Sequence, residues 1–336
     1  MKKTRMLVVL VLLVLVPMGL VFAGGQSEEA PETVDEECFE GELDDRYCDR
    51  TGNLVADPPL DESQWQDPNT LVFSYAPTED PAVYEEAFED FVDYLSDVLD
   101  RDVRWFGVSS YAAQVEAMRA NRLHISGFAA GAVQDAVNQA GFVPQTMMAL
   151  PDGAVGYHME VWAHKDSDIQ TPEDLRGREL ALVSESSNSG FFAPRAILYE
   201  EFDLLYGEDY QPAFSGSHDN SALGVLNQDY EAAAIADSVI DRMIDAGRLP
   251  AREEFARVIY TSQEFPSTAY GVAHDLHPDL QEQIREAFLN FEWEGTSLGE
   301  AFDPREQFSP IEYEEAWQVM RTVREGSNRV AEILGE

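Results

Sequence analysis

Lysine is almost missing from this chain. Three lysines occur in 336 residues, and two of them, Lys2 and Lys3, lie at the very start; downstream only Lys165 remains. With 22 basic against 64 acidic residues, the formal net charge is −42. So one-sided a surface repels phosphate backbones and anionic headgroups, which excludes nucleic acid and anionic membrane as partners. Salt screens its self-repulsion and the carboxylates keep it hydrated, so the composition reads as adaptation to high salt and not as a binding device. Cysteine is scarce too. Cys38 and Cys48 are the only two, in a segment with no nearby histidine. That excludes a zinc site built on them and fits one disulfide closing a small loop. Long apolar runs are lacking beyond residues 6–20, so no second segment is long enough to span a bilayer.

What is there begins with an export signal. Lys2, Lys3 and Arg5 form a basic start, residues 6–20 an apolar stretch, and Val21-Phe22-Ala23 a small-residue cleavage pattern. Residues 1–23 are therefore set aside. An uncleaved anchor is the alternative, opposed by the shortness of the stretch and by Pro17. No cysteine follows the cleavage point to carry a lipid. Removing Lys2, Lys3 and Arg5 leaves 64 acidic against 19 basic residues, or −45. The mature chain is expected to be soluble outside the cytoplasm, periplasmic or extracytoplasmic. Residues 24–69 read as an acidic leader, flexible at first. Within it, residues 49–57 carry oxygen side chains at alternating positions, as a calcium loop would. Leu54 stands where such a loop needs glycine, and no glutamate closes it, so an acidic turn is the competing reading.

The length suits two domains. Regular structure is expected from Thr70. Residues 71–75, 103–108 and 123–128 read as strands, and residues 84–99, 111–120 and those running to 139 as helices. A strand–helix alternation of this kind builds a mainly parallel sheet covered by helices. A second α/β unit, at about 165–262, interrupts the first. Strands near 157–164 and 266–273 are expected to carry the chain across, as a two-strand hinge. The expected lobes are residues 70–163 plus 264–336, and residues 164–263. A cleft between two such lobes is where ligands bind.

Four segments carry a family resemblance: Ser74-Tyr75-Ala76-Pro77-Thr78-Glu79, the run from Tyr111 to Arg119, Ser187-Asn188-Ser189-Gly190-Phe191-Phe192-Ala193-Pro194, and Gly216-Ser217-His218-Asp219-Asn220-Ser221-Ala222-Leu223. In order and spacing the chain, from about Thr70 to Gly326, resembles the phosphate/phosphite/phosphonate-binding branch of the type II periplasmic binding proteins. The resemblance implies an α/β fold of two lobes, each a mostly parallel sheet flanked by helices. It also implies a non-enzymatic solute-binding protein that closes on a small phosphorus oxyanion for an ABC permease.

Physical chemistry supports the site that the resemblance implies. Ser187, Asn188, Ser189 and Gly190 enter a helix, where free N–H groups and the positive dipole end face an anion; ordinary capping is the plain alternative. Thr78 would add donors from the opposite wall. His218 corresponds to a histidine that donates to the oxyanion, and a ring near pKa 6.5 would tighten binding as pH falls. Tyr111 corresponds to a wall tyrosine. Phe128 stands where the family often has tyrosine, which removes a hydroxyl. Tyr270 reads as a further wall residue or as core.

Aminoalkylphosphonate binders place carboxylates where this chain has Ser238 and Thr268. That favours phosphate, phosphite or a simple alkylphosphonate, with Asp237 accepting from a protonated ligand oxygen and so rejecting sulfate. Arg195 is read as solvent-facing. No cofactor, no metal and no nucleophile–base pair is read, and the protein is expected to act as a monomer. The alternatives are a sulfonate, taurine or nitrate receptor of the same fold, and a sensory partner of a membrane receptor. An enzyme of this architecture is disfavoured.

Overall fold

The computed structural model describes residues 37–153, 156–303 and 305–336. The expected export signal and the start of the expected leader lie outside the described residues. Among the described residues, no helix is long and apolar enough to cross a membrane.

The chain enters the first lobe through β1 (Thr70–Tyr75), buried along most of its length. The Asp80 carboxylate then accepts the Ala82 N–H at 3.0 Å, and Pro81 opens α1 (Pro81–Ala87). In α2 (Glu89–Leu99), Phe91, Val92, Leu95 and Leu99 share the buried face. β2 (Asp102–Trp105), α3 (Tyr111–Arg119), β3 (Ile125–Phe128) and α4 (Ala130–Ala140) complete the expected alternation, and β1 pairs in parallel with both β2 and β3. β4 (Phe142–Ala149) follows directly and was not foreseen.

The second lobe runs through β5 (Tyr157–His164), β6 (Glu179–Leu182), a π-turn at Asn188–Phe192 continuing into α5 (Ala193–Phe202), β7 (Gln211–Phe214), α6 (His218–Asn227), β8 (Ala232–Ala236), α7 (Asp237–Asp245), α8 (Arg252–Phe255) and β9 (Ala256–Phe265). β10 (Ala269–Ala273), α9 (Pro278–Leu289), α10 (Ser297–Ala301), β11 (Gln307–Pro310) and α11 (Tyr313–Ala316) return to the first lobe, and α12 (Gln318–Leu334) ends the chain.

The two sheets have the orders β11-β4-β10-β3-β1-β2 and β7-β6-β8-β5-β9. Each joins a parallel block to antiparallel strands, and helices flank both. An aromatic cluster fills the first lobe: Phe91 packs edge-on against Phe288 and Phe291, while Phe308 reaches Tyr270 and Trp293.

Three expectations about boundaries need correction. β5 pairs along its length with β8 and β9, so it belongs wholly to the second sheet. β4 ends at Ala149 in the first sheet and β5 begins at Tyr157 in the second, while β9 ends at Phe265 in the second and β10 begins at Ala269 in the first, so the boundary expected at 163/164 moves ahead of β5. Helix α12 belongs to neither lobe alone. A Cβ at Gly326 would lie 3.0 Å from that of Ala196 in the second lobe, while Arg324 donates to the Gly131 carbonyl at 3.0 Å and Asp135 at 3.1 Å in the first. The leader, finally, is packed from residue 37 onward. A disulfide joins Cys38 and Cys48. Glu42 accepts from Gln134 at 2.8 Å and Asn138 at 3.0 Å, and the Gln66 backbone exchanges hydrogen bonds with Asp275 and His277. Such anchors join residues distant in sequence, so composition does not show them. In residues 49–57, the Asp49 carboxylate accepts the N–H groups of Thr51, Gly52, Asn53 and Leu54 between 2.7 and 3.3 Å. The stretch is an acidic turn closed on its own backbone.

Candidate functional site

The lobes meet around a cavity of about 180 Å³. Tyr75, Thr78, Tyr111, Gly131, Met148, Phe302 and Glu306 line it from the first lobe; Tyr157, Ser187, Asn188, Ser189, His218, Ser238 and Arg242 line it from the second; Ser267 and Thr268 line it from a crossing segment. Of the residues expected at the site, Thr78, Tyr111, Ser187, Asn188, Ser189 and His218 are brought together here.

The serine-rich loop is built by capping. Ser187 precedes the π-turn with extended backbone, and its hydroxyl accepts the Gly190 N–H at 3.1 Å. Gly190 does not line the cavity. It is needed behind it, because a Cβ there would come within 2.4 Å of Val183. Asn188 donates its amide to the Tyr157 hydroxyl at 2.9 Å. Burial pushes the Tyr157 phenol up to about 12, so it stays a neutral donor. The Tyr111 hydroxyl is buried near Ser187, makes no hydrogen bond to the protein and is likewise pushed up by burial. Buried donors are almost always satisfied, so an unpaired one in a cavity wall marks a place for a ligand acceptor.

His218 opens α6, where the Ser217 side chain caps the helix. Its Nδ1 accepts the Ala236 N–H at 3.3 Å, which fixes the tautomer with the proton on Nε2. Burial, aided by the positive charge of Arg242, pushes its pKa down to about 3. His218 is therefore a neutral donor near neutral pH, and the expected gain of affinity on acidification through this ring does not follow. Thr78 lines the wall with its donors engaged: its N–H goes to the Ala76 carbonyl at 2.8 Å and its hydroxyl pairs with that of Tyr84.

Three expected residues lie elsewhere. Phe128 is fully buried and packs edge-on against Phe142. Tyr270 is buried in the aromatic cluster, with its hydroxyl directed at the Met148 sulfur. The Asp237 carboxylate accepts the N–H groups of His158 at 2.9 Å and Ser238 at 2.7 Å, so it is committed to the backbone behind the cavity. Phe128 and Asp237 each stand next to a lining residue, Ala129 and Ser238, and Tyr270 stands two positions from Thr268. Arg195 is buried, not solvent-facing; it stacks over the Tyr206 ring at 4.7 Å and pairs with Glu336.

Two charged residues at the cavity were missed. Arg242 donates to Glu79 at 2.8 Å and to the Tyr84 hydroxyl at 3.2 Å, and it lies over Phe302. Glu79, from the first lobe, also pairs with Arg248, which reaches Asp219 at 3.2 Å. These pairs and the His218 N–H to Thr78 carbonyl bond, at 3.1 Å, join the lobes across the cleft. Glu306 is the second. Nothing local in the sequence marks either residue, because each reaches the cavity from a segment with no motif. Among the described residues, no three His, Cys, Asp or Glu side chains gather to hold a metal.

Comparison with known proteins adds family context. The family described as "ABC transporter, phosphonate, periplasmic substrate-binding protein" matches residues 73–316. The phosphate-import protein PhnD of Mycolicibacterium smegmatis is 27% identical over 287 residues, covering 80% of this chain and 87% of its own. A binding protein component of an ABC phosphonate transporter from Pseudomonas aeruginosa shares the fold, with a TM-score of 0.69 at 20% identity over 79% of this chain and 88% of its own. PhnD1 of Prochlorococcus marinus, solved with methylphosphonate, shares it at a TM-score of 0.66 and 18% identity, over 78% of this chain and 100% of its own.

Proposed function

Because this chain belongs to the phosphonate-binding family of periplasmic ABC-transporter substrate-binding proteins, a transport family and not an enzyme family, we propose that it captures a phosphorus oxyanion (phosphate, phosphite or a simple alkylphosphonate) between its lobes. The observation that carries this reading is the donor-rich wall. Ser187, Ser189, Tyr157 and neutral His218 converge on one cavity with the unpaired Tyr111 hydroxyl. Neutral donors and a helix start can hold an anion inside a strongly acidic protein, because they act over a few ångströms where the overall charge is screened. The oxyanion bridges donors of both lobes and stabilises the closed form by differential affinity. As a monomer, released outside the cytoplasm by cleavage at residue 23, that form docks on the membrane permease. No chemistry is done on the ligand.

Calorimetric titration of the ligand-stripped protein at high salt tests this. Phosphate, phosphite, methylphosphonate, 2-aminoethylphosphonate, sulfate and taurine are compared. One phosphorus oxyanion should bind tightly. Combined Ser189→Ala and His218→Ala should weaken it at least about 100-fold, since hydrogen bonds to a charged group are worth about 1.5–3 kcal/mol each. Silence towards every phosphorus compound, with binding of a sulfonate, would transfer the assignment to the sulfonate receptors of this fold.

A further inference from the structure

Glu306 supplies the only carboxyl among the described residues that line the cavity. It sits in the turn before β11, held by its own N–H to the Asp303 carbonyl at 2.9 Å. β11 lies beside β4 with Gln307 opposite Ala149, so Glu306 enters the wall next to Ala149 and Leu150. Its Oε2 is buried and makes no hydrogen bond to the protein. A buried carboxylate oxygen without a donor is costly, and its presence in a ligand cavity calls for a donor on the ligand.

The neighbouring groups do not provide that donor. Arg242, from α7, faces Glu306, but its N–H groups are directed to Glu79, Tyr84 and the Ser238 carbonyl. Asp303, in the same turn, adds negative charge and is itself paired with Arg305 at 2.6 Å. The Tyr75 and Tyr270 phenols, from β1 and β10, also lie near Glu306. The first pairs with Thr268 at 3.3 Å and the second with Met148.

We propose that Glu306 is a specificity-determining residue of the cleft: its free oxygen takes a hydrogen from the bound oxyanion, so the protein captures an oxyanion that still carries an O–H group and rejects one that has none. This rests on the phosphorus-oxyanion reading above and deepens it. Serine, tyrosine and histidine donors would hold sulfate as readily as phosphate, so they cannot tell the two apart. A carboxylate can. Facing monoprotonated phosphate or phosphonate it accepts a hydrogen bond; facing sulfate or a sulfonate it meets only like charge. Burial, reinforced by Asp303 and opposed by Arg242, pushes the Glu306 carboxyl up to about 7. Ligand and carboxyl then share one proton, whichever of them carries it, and the complex loses that proton only in alkaline solution. The sign follows: affinity is greatest below neutrality and falls as pH rises, because two anions are then forced together.

The test is calorimetric titration of the stripped protein and of Glu306→Gln with phosphate, methylphosphonate, sulfate and methanesulfonate. It is run from pH 6 to 9 in two buffers of different ionisation enthalpy. Wild type should bind methylphosphonate with uptake of about one proton at pH 9, lose about tenfold in affinity per pH unit above 8, and ignore sulfate at pH 8 and 9, where the carboxyl is ionised; at pH 6 the protonated carboxyl can itself donate, and the rejection of sulfate should weaken. Glu306→Gln keeps the shape and can itself donate. It should retain methylphosphonate, take up no proton, and gain sulfate binding at least about tenfold. The wild-type measurement needs no variant: absence of proton uptake at pH 9 would by itself overturn the shared proton, even if Glu306→Gln folds poorly. Equal proton uptake and equal sulfate rejection in both proteins would overturn the assignment of Glu306 while leaving the oxyanion reading intact. Failure of wild type to bind any phosphorus compound would overturn both.

Discussion

At the scale of single residues, His218 shows how a fold changes a side chain's chemistry. In solution an imidazole titrates near 6.5; here burial and Arg242 push it down to about 3. A histidine kept neutral in the fold but protonated in the unfolded chain makes the unfolded state bind more protons between pH 6.5 and 3. Stability therefore falls as pH drops through that window, by a few kcal/mol at most. His218→Gln retains an acceptor for the Ala236 N–H and a donor towards the cavity. We expect this variant to lose that pH-dependent part of its unfolding free energy while binding the ligand within about tenfold of wild type, as two titrations would show: urea unfolding from pH 4 to 7, and calorimetry at pH 7. A wild-type affinity that rises steeply between pH 7 and 6 in step with protonation of the His218 ring, seen in its NMR shifts, would contradict the neutral donor.

At the scale of elements, the start of α4 meets the serine-rich loop of the opposite lobe. A Cβ at Gly131 would lie 2.4 Å from the Asn188 nitrogen and 2.7 Å from the Ser186 carbonyl oxygen, both backbone atoms that cannot turn aside. Gly131→Val should therefore hold the lobes apart. We expect ligand affinity to fall more than about 100-fold, with small-angle scattering reporting an open form in saturating ligand, because the closed state is what the ligand selects. The ligand-free protein should melt within a few degrees of wild type, since the clash exists only when the lobes touch. Compact scattering with ligand would refute this. The same closeness explains what the sequence could reveal. Strand–helix alternation and the Ser187 to Gly190 loop are local patterns with a fixed period or a capping signature, and they were legible. β4 follows α4 without a long connection and β11 is only four residues, so neither stood out. Gly131, Arg242 and Glu306 matter because of what faces them across a cleft, and no local pattern records that.

At the scale of the whole molecule, the charge of −42 sets both stability and ligand capture. Arginines are shared among carboxylates, as where Arg178 serves Asp168 and Glu231 and Arg252 serves Glu160 and Asp241. With 64 acidic against 22 basic residues, most carboxylates have no cation to pair with, so compaction costs repulsion that salt relieves. The melting temperature should accordingly rise by several degrees from 0.1 to 2 M KCl. Capture should respond with the same sign. An oxyanion approaching this protein climbs a repulsive field whose nearest positive charges, Arg242 and Arg248, are already offset by Glu79 and Asp219. Screening lowers that barrier without touching the short-range donors within the cleft. The association rate constant for phosphate or methylphosphonate, followed by stopped-flow tryptophan fluorescence, should rise with KCl, and the dissociation rate should change much less. An association rate that falls with salt would mean that the cleft projects a net positive field, and the donors at its wall would then act as an electrostatic funnel rather than as contacts made only on arrival.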